Sequence, residues 1–332
     1  MTRATALRMG TKEKKLTRSF FGKCCFAYMT VFMAVLFFKC PSETSEWMRQ
    51  GLRVCAERLV PSLFPFMVIS SLLLSSGLGE WLGRTLGRPC SAIFGVGAHG
   101  AAALLLGWLC GFPIGARVAA RLYAEGKLCG RELERIVCIS SVPSPVFLIN
   151  AVGVSMLCDI RLGVALYAAC ILASIAAGIA MRLCDGGAQK IDLKSIRMSE
   201  QEPLSVAFTR AVSESALGML YVCGFVVFFS AFVGVLDSVV SSALGEYTMS
   251  DALFGFFEIT SGLSRLSASS MPKGAALVLC AATAGWSGVS VHLQVISLCS
   301  ECELSALRYF LASFFKAVIA ALVMLLALPA LI

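Results

Sequence analysis

Charge-free apolar stretches separated by short charged clusters run along most of this chain, and they predict helices that cross a membrane. They lie at about 20–38, 59–78, 93–116, 136–158, 162–182, 216–240, 252–264, 274–298 and 305–330. A helix needs about 20 apolar residues to span the hydrocarbon layer, and most of these stretches approach or exceed that length. Two do not read as simple spans. The stretch 93–116 is rich in Gly and Ala and holds the breaker cluster Cys110-Gly111-Phe112-Pro113-Ile114-Gly115, while 252–264 is short. Each is expected to dip into the membrane and return on the side it entered. A polar loop at 184–206 divides the chain, with four basic and four acidic residues between Arg182 and Glu202. The parts are then a basic tail (1–23), a first transmembrane half (24–183), the loop (184–206) and a second half (207–332).

Lys and Arg orient these parts. In the tail Arg3, Arg8, Lys12, Lys14, Lys15, Arg18 and Lys23 stand against Glu13. An apolar run follows at once, so the tail reads as a positive-inside signal rather than a nucleic-acid arm. Residues 117–135 carry five basic residues, which suits the cytoplasm, and no Lys or Arg lies between Arg210 and Arg265, which suits the exterior. With two re-entrant segments this gives seven full crossings and a C-terminus outside. The first helix is expected to stay uncleaved, because Lys39-Cys40-Pro41 follows it where a signal peptidase needs small residues.

Composition removes several function classes. The chain is 58% hydrophobic and 14% charged, against roughly 45–50% and 25% in soluble domains, so a soluble enzyme is not expected. Its partners are expected to be the lipid bilayer and a small solute, with self-association open and no nucleic acid. Of the 15 cysteines most, including Cys110, Cys138, Cys170, Cys223 and Cys280, sit in apolar stretches and read as small hydrophobes. Cys299 and Cys302 lack the second pair that a four-ligand zinc site takes, and no metal or cofactor is expected. No phosphate-binding or nucleophile motif is present. Ser287 and His292 are five residues apart, off a common helical face, and make a poor nucleophile and base. A carrier here is driven by a gradient, of H+ or Na+, or is passive.

The two halves repeat an order of parts. In the first, a Gly/Pro-rich turn at 107–115 leads to a span broken at Pro143-Ser144-Pro145 and then to a closing helix at 162–182. In the second, a turn at 256–262 leads to a span broken at Trp286-Ser287-Gly288 and then to a closing helix at 305–330. On the topology above the broken spans run in opposite directions, as in the inverted repeats of many transporters. The fold expected is all-α: a polytopic membrane protein with inverted repeats, broken helices and two re-entrant hairpins.

The breaks carry the candidate chemistry. Two prolines in a charge-free run of 23 residues must interrupt the helix. Ser144 as N-cap and Pro145 at the first helical position would restart it. Its free N–H groups and positive dipole end favour an anion or polar solute, and such a break must face protein or a wet cavity. Asn150 lies further along the same span. Ser287 could cap the helix that holds His292 and Gln294, after the break at Gly288; the alternative is a small-residue packing patch. Gly111, Pro113 and Gly115 suit a hairpin tip, or a helix ending at the membrane surface. Glu258, with Thr260 and Ser261 beside it, sits among apolar residues where a charge costs roughly 2.5–3.5 kcal/mol. It reads as a solute or coupling-ion ligand, or as a headgroup-level side chain. Lys316 in the last helix is expected to snorkel to the cytoplasmic surface, or else to pair with Glu258 or with an anionic solute. His99 and His292 read as core histidines.

In this order, Ser62-Leu63-Phe64-Pro65-Phe66, the segment 107–116, Pro143-Ser144-Pro145-Val146-Phe147, the segment 257–262 and the segment 288–294 resemble the YlbJ-type sporulation integral membrane proteins. The resemblance covers about 50–330. It implies a Gate, or nucleoside-recognition, domain, similar in plan to concentrative nucleoside transporters, with two hairpins and two broken helices around one site. It also implies a place in an endospore-forming bacterium's membrane, including one around the forespore, and a cargo such as dipicolinate. The chain departs from the family in having Phe112-Pro113 where a Tyr-Pro pair is usual. The function expected is transport of a small polar or anionic solute, dipicolinate-like or nucleoside-like, in sporulation. The alternative is a non-transporting scaffold or assembly factor.

Overall fold

A computed structural model describes residues 27–76, 78–185, 203–244 and 251–332. The basic tail and most of the 184–206 loop lie outside the described residues. Among those described, regular structure is helical throughout.

Helix α1 (Ala27–Lys39) precedes a continuous rod: α2 (Pro41–Val54), a π-helical turn (Cys55–Leu59) and α3 (Val60–Ser75). Pro41 in the first turn of α2 costs no helical donor, and Glu43 and Arg53 suit the two ends of the dipole. The π turn falls just before Pro61, which supplies no N–H to the ladder one turn back. Sequence reasoning left 41–54 unassigned, although Pro at the start and one apolar stripe mark it as an amphipathic helix.

The rod lies antiparallel to α9 (Leu204–Leu244). Small residues set the spacing: a Cβ on Gly234 would meet the Trp47 ring, and one on Gly51 would meet Val227 and Ser230. Further along, Cys55 faces Cys223 and Ser75 meets Arg210. Helix α9 has 41 residues, about 60 Å at 1.5 Å per residue and twice the hydrocarbon thickness.

The repeat is present part for part. In the first half α4 (Leu78–Phe94) turns through 89° into α5 (Ala98–Cys110), and α6 (Ile114–Ala124) completes a hairpin. Then come α7 (Gly130–Ser140), a π-helical segment (Val146–Val154) and the closing helix α8 (Ile160–Asp185). In the second half α10 (Asp251–Phe257) and α11 (Ile259–Ala268) form the hairpin. The broken span is α12 (Lys273–Trp286) with α13 (Val289–Leu298), and α14 (Ala306–Leu331) closes.

Ion pairs establish that the halves are inverted. Arg308, near the start of α14, bonds Asp185, at the end of α8, and reaches Glu134 in α7 at 2.6 Å. Arg135 bonds Asp185 at 3.2 Å and the Gly95 carbonyl at 3.2 Å, and Glu132 accepts from the Gly97 amide at the α4–α5 bend. One face therefore holds the end of α8 and the starts of α5, α7 and α14. At the other face Asp159 precedes α8, and Arg161 and, from the start of α12, Lys273 hold its carboxyl below the usual range. Gly274 lies against Leu328 and Ile332 at the end of α14. So α7 and α12 run in opposite directions, as do α8 and α14. The α10–α11 hairpin is closed at its base by Arg265 with Asp251 at 3.0 Å and Asp237 at 3.9 Å. The first face carries Arg121, Lys127, Arg131 and Arg182, which makes it cytoplasmic.

Among the described residues four helices are long and apolar enough, by length and composition, to cross: Ile160–Asp185, Leu204–Ser242, Lys273–Leu298 and Ala306–Leu331; a fifth counts if the bent pair Gly83–Phe94 and Ala98–Cys110 is one span. Seven spans are expected from the sequence, and the other three, at 20–38, 59–78 and 136–158, are not single long apolar helices among the described residues. Helix α3 is the end of a rod whose first part is charged, and α7 opens with Arg131, Glu132, Glu134 and Arg135. The described part of the first apolar run makes a short helix.

Close backbone crossings hold the closing helices in place. A Cβ on Gly163 of α8 would stand 2.7 Å from the Leu148 carbonyl oxygen and 2.8 Å from the Ile149 Cα. Because both are backbone atoms, Gly163→Leu is expected to push α8 off the broken span. Overpacking of this kind typically costs about 1–3 kcal/mol, and a lowered thermal midpoint of the purified protein would record it.

Candidate solute chamber

Hairpin tips and helix breaks from both halves meet around one partly open cavity. From the first half come Cys110, Phe112, Pro113 and Ile114 at the hairpin tip and Pro143, Ser144 and Phe147 at the break. From the second come Glu258, Ile259 and Thr260 at the tip and Ser290, Val291 and Gln294 after the break. The opposite wall is apolar, made by Leu59, Leu63 and Met67 of the rod and Val222 and Val226 of α9.

The breaks have different chemistry on their two sides. At the first, α7 ends and its last carbonyls are all taken inside the protein. Val137 accepts from the Ser141 amide and hydroxyl, and Ile139 accepts from the Ser174 hydroxyl. Ser140 accepts from the Val142 amide, and Val142 from the Phe112 amide. Cys138 and Ser141 accept from the Lys316 ammonium at 2.9 and 2.6 Å. Lys316 is therefore fully buried, and the expectation that it snorkels is corrected: carbonyls orphaned by the break offer its charge a better partner than the membrane surface does. The restart follows the sequence pattern. Pro145 opens the new helix and the Ser144 hydroxyl accepts from the Phe147 amide at 3.2 Å.

At the second break Ser287 takes a left-handed conformation (φ 76°) and ends α12; its hydroxyl turns back to the Ala284 carbonyl at 3.3 Å. It does not cap α13, as the sequence suggested. That position falls to Gly288, whose φ of 85° favours glycine. A Cβ there would also stand 3.0 Å from the Ile259 amide of the second hairpin. Trp286 locks the same junction, donating to the Phe256 carbonyl at 2.9 Å and stacking on the Phe256 ring.

The hairpins match one another. In the first, Gly107 and Gly115 pack together against Ser140, and in the second Gly255 and Gly262 pack together, with Gly255 against Thr283. Ser140 stands four residues before Ser144, and Thr283 four before Ser287. Gly111 (φ 76°) presses on Ser144 as Gly288 presses on Ile259. Each tip thus rests on the break of its own half.

Glu258 caps α11, and its carboxylate accepts from the Thr260 amide at 2.9 Å and the Ser261 amide at 2.6 Å. The helix N-terminus and the carboxylate offset each other. Helices α6, α11, α13 and the segment after Ser144 all begin at the chamber; at α11 the Glu258 carboxylate already takes the first-turn amides of Thr260 and Ser261, so the other three starts are the ones that face it uncompensated by a charge. Among its described lining residues none is Lys or Arg.

Of the residues singled out from sequence, Pro113, Ser144, Glu258, Thr260 and Gln294 line the chamber. Gly111, Gly115, Pro145, Ser287 and Gly288 stand behind it and shape the tips and breaks. Ser261 turns to Ser230 of α9 at 3.2 Å. Asn150 is exposed, beyond the lining, because the π-helical winding carries it outward. The apolar wall and Ser290 were missed, since contacts across helices leave no local sequence signal. His292 is fully buried against Trp286, with Nδ1 3.2 Å from the Tyr309 hydroxyl.

Fold and site together define a polytopic helical integral membrane protein in which re-entrant hairpins and broken helices enclose a central chamber. The chain is 29% identical over 317 residues to the sporulation integral membrane protein YlbJ of Bacillus subtilis (strain 168), across 86% of this chain and 78% of that protein. This likeness supports membership of the YlbJ-type family and an integral place in a bacterial membrane. No family model matches the chain, and no solved structure matches it.

Proposed function

We propose that the protein is a carrier, not an enzyme, for a small flat solute with polar or anionic groups, acting in the membranes of a sporulating cell. The observation that carries the proposal is the convergence of three helix N-termini without a capping carboxylate (α6, α13 and the segment after Ser144) with Ser144, Thr260, Ser290 and Gln294 on one chamber, opposite an apolar wall and beside the Glu258-capped start of α11. Amide groups at helix starts favour negative or polar edges, and the wall suits the face of a ring. A dipicolinate-like dicarboxylate and a nucleoside both have that shape. The relative's name, a sporulation integral membrane protein, supports the cellular setting, and H+ or Na+ gradients are the driving forces to test.

Uptake into proteoliposomes tests this. Ser144→Ala with Glu258→Gln is expected to lower uptake roughly tenfold or more, because each removes about 1 kcal/mol or more of hydrogen bonding at the chamber. Uptake unchanged in the double variant would defeat the proposal. A thermal-shift screen of the purified protein with dicarboxylates and nucleosides chooses between the cargo classes. If neither class binds, and deletion of residues 186–202 abolishes function while chamber variants do not, the protein is a scaffold.

A further inference from the structure

Lys316 has an unusual set of neighbours for a buried ammonium. Its Nζ bonds two main-chain carbonyls, of Cys138 and Ser141, and among the described residues no carboxylate stands within 4 Å of it. Its positive charge is therefore offset by peptide dipoles at the C-terminal end of α7, where the negative pole of a helix lies. Two buried hydroxyls lie near in the chain but are engaged elsewhere: Ser140 packs against Gly107 and Gly115 of the first hairpin, and Ser313, one turn before Lys316, stands by Tyr309. Main-chain carbonyl oxygens at the C-terminal end of a half-helix are what a carrier uses to hold a monovalent metal cation. Here a side chain of α14, from the other half, fills the place.

We infer that the Lys316 ammonium is a tethered substitute for a bound monovalent cation, so that the first break is held together without sodium or potassium and hides a cation site that removal of the lysine uncovers. This stands whether or not the chamber carries a solute. It also explains how α14 fastens the two halves at the point where α7 is interrupted: the bond pair joins a helix of one repeat to the broken span of the other.

The test is thermal unfolding of the purified full-length protein in sodium chloride and in choline chloride at equal ionic strength. Wild type is expected to unfold at the same temperature in both. Lys316→Ala is expected to unfold several degrees lower in choline, and to recover part of that loss with sodium or with methylammonium, neither of which shifts wild type. Lys316→Met, which keeps most of the stem's volume, should show the same loss in choline and a smaller recovery. A wild-type midpoint raised specifically by sodium overturns the inference, and so does a Lys316→Ala protein that neither cation restores. Should neither variant be obtainable, a sodium-indifferent wild type together with that failure supports it, and a sodium-dependent wild type still overturns it.

Discussion

Gly262→Val should collapse the second hairpin and empty the chamber of any binding capacity. At position 262 even a Cβ would stand 2.1 Å from the Gly255 Cα and 2.5 Å from the Gly255 nitrogen. Both are backbone atoms on a short helix that also carries Phe254 and Phe257 in the core, so neither helix can yield a little. The hairpin must open, and Glu258 must then leave the amides of Thr260 and Ser261. Opening the crossing and losing the cap together are expected to cost more than the usual overpacking figure of about 1–3 kcal/mol. A sharply lower thermal midpoint and loss of every ligand-induced shift would be seen. A variant that unfolds at the wild-type temperature would show that the crossing is looser than described. Gly115→Val should act alike on the first hairpin, where a Cβ would stand 2.9 Å from the Gly107 Cα.

Arg308→Ala should loosen the cytoplasmic ends of both repeats at once. Its guanidinium holds Glu134 and Asp185, whose side chains are 7% and 12% exposed. Removing one partner of a buried pair can cost about 3–5 kcal/mol. Arg308 itself is 40% exposed, so solvent screens part of this and roughly 2 kcal/mol is expected. Arg308→Lys should recover less than half of the loss, because an ammonium cannot fork to two carboxylates as a planar guanidinium does. Thermal midpoints of the three proteins decide; equal midpoints would show that the network contributes nothing to stability.

The order of parts could be read from sequence because backbone breakers act locally. Pro143 and Pro145 cannot continue a helix wherever they stand, and Gly111, Gly115 and Gly288 mark tight backbone in any context. Ser144 and Pro145 did what their types dictate. Ser287 did not, since its neighbour Gly288 accepts the conformation that starts α13, and Ser287 was drawn into ending α12. The partner of Lys316 was out of reach of a linear pattern. A lysine among apolar residues reads as a snorkelling side chain until the carbonyls of a helix more than 170 residues earlier are seen beside it. Three of the expected spans do not appear as single long apolar helices for a related reason: hydropathy measures composition, whereas the rod from Pro41 to Ser75, for one, joins a charged helix to an apolar one without a break.

The hairpins enter from opposite faces and end at the same chamber, so each is a septum separating that chamber from one aqueous side. Helix α5 has 13 residues, about 20 Å of rise, up to two thirds of the roughly 30 Å hydrocarbon layer. A unit charge moved across the whole membrane gains or loses about 2.3 kcal/mol per 100 mV. Were a charged guest to enter the chamber from the cytoplasmic face, the larger share of that energy would be felt on arrival and the smaller on departure, so membrane potential would act unequally on the two steps.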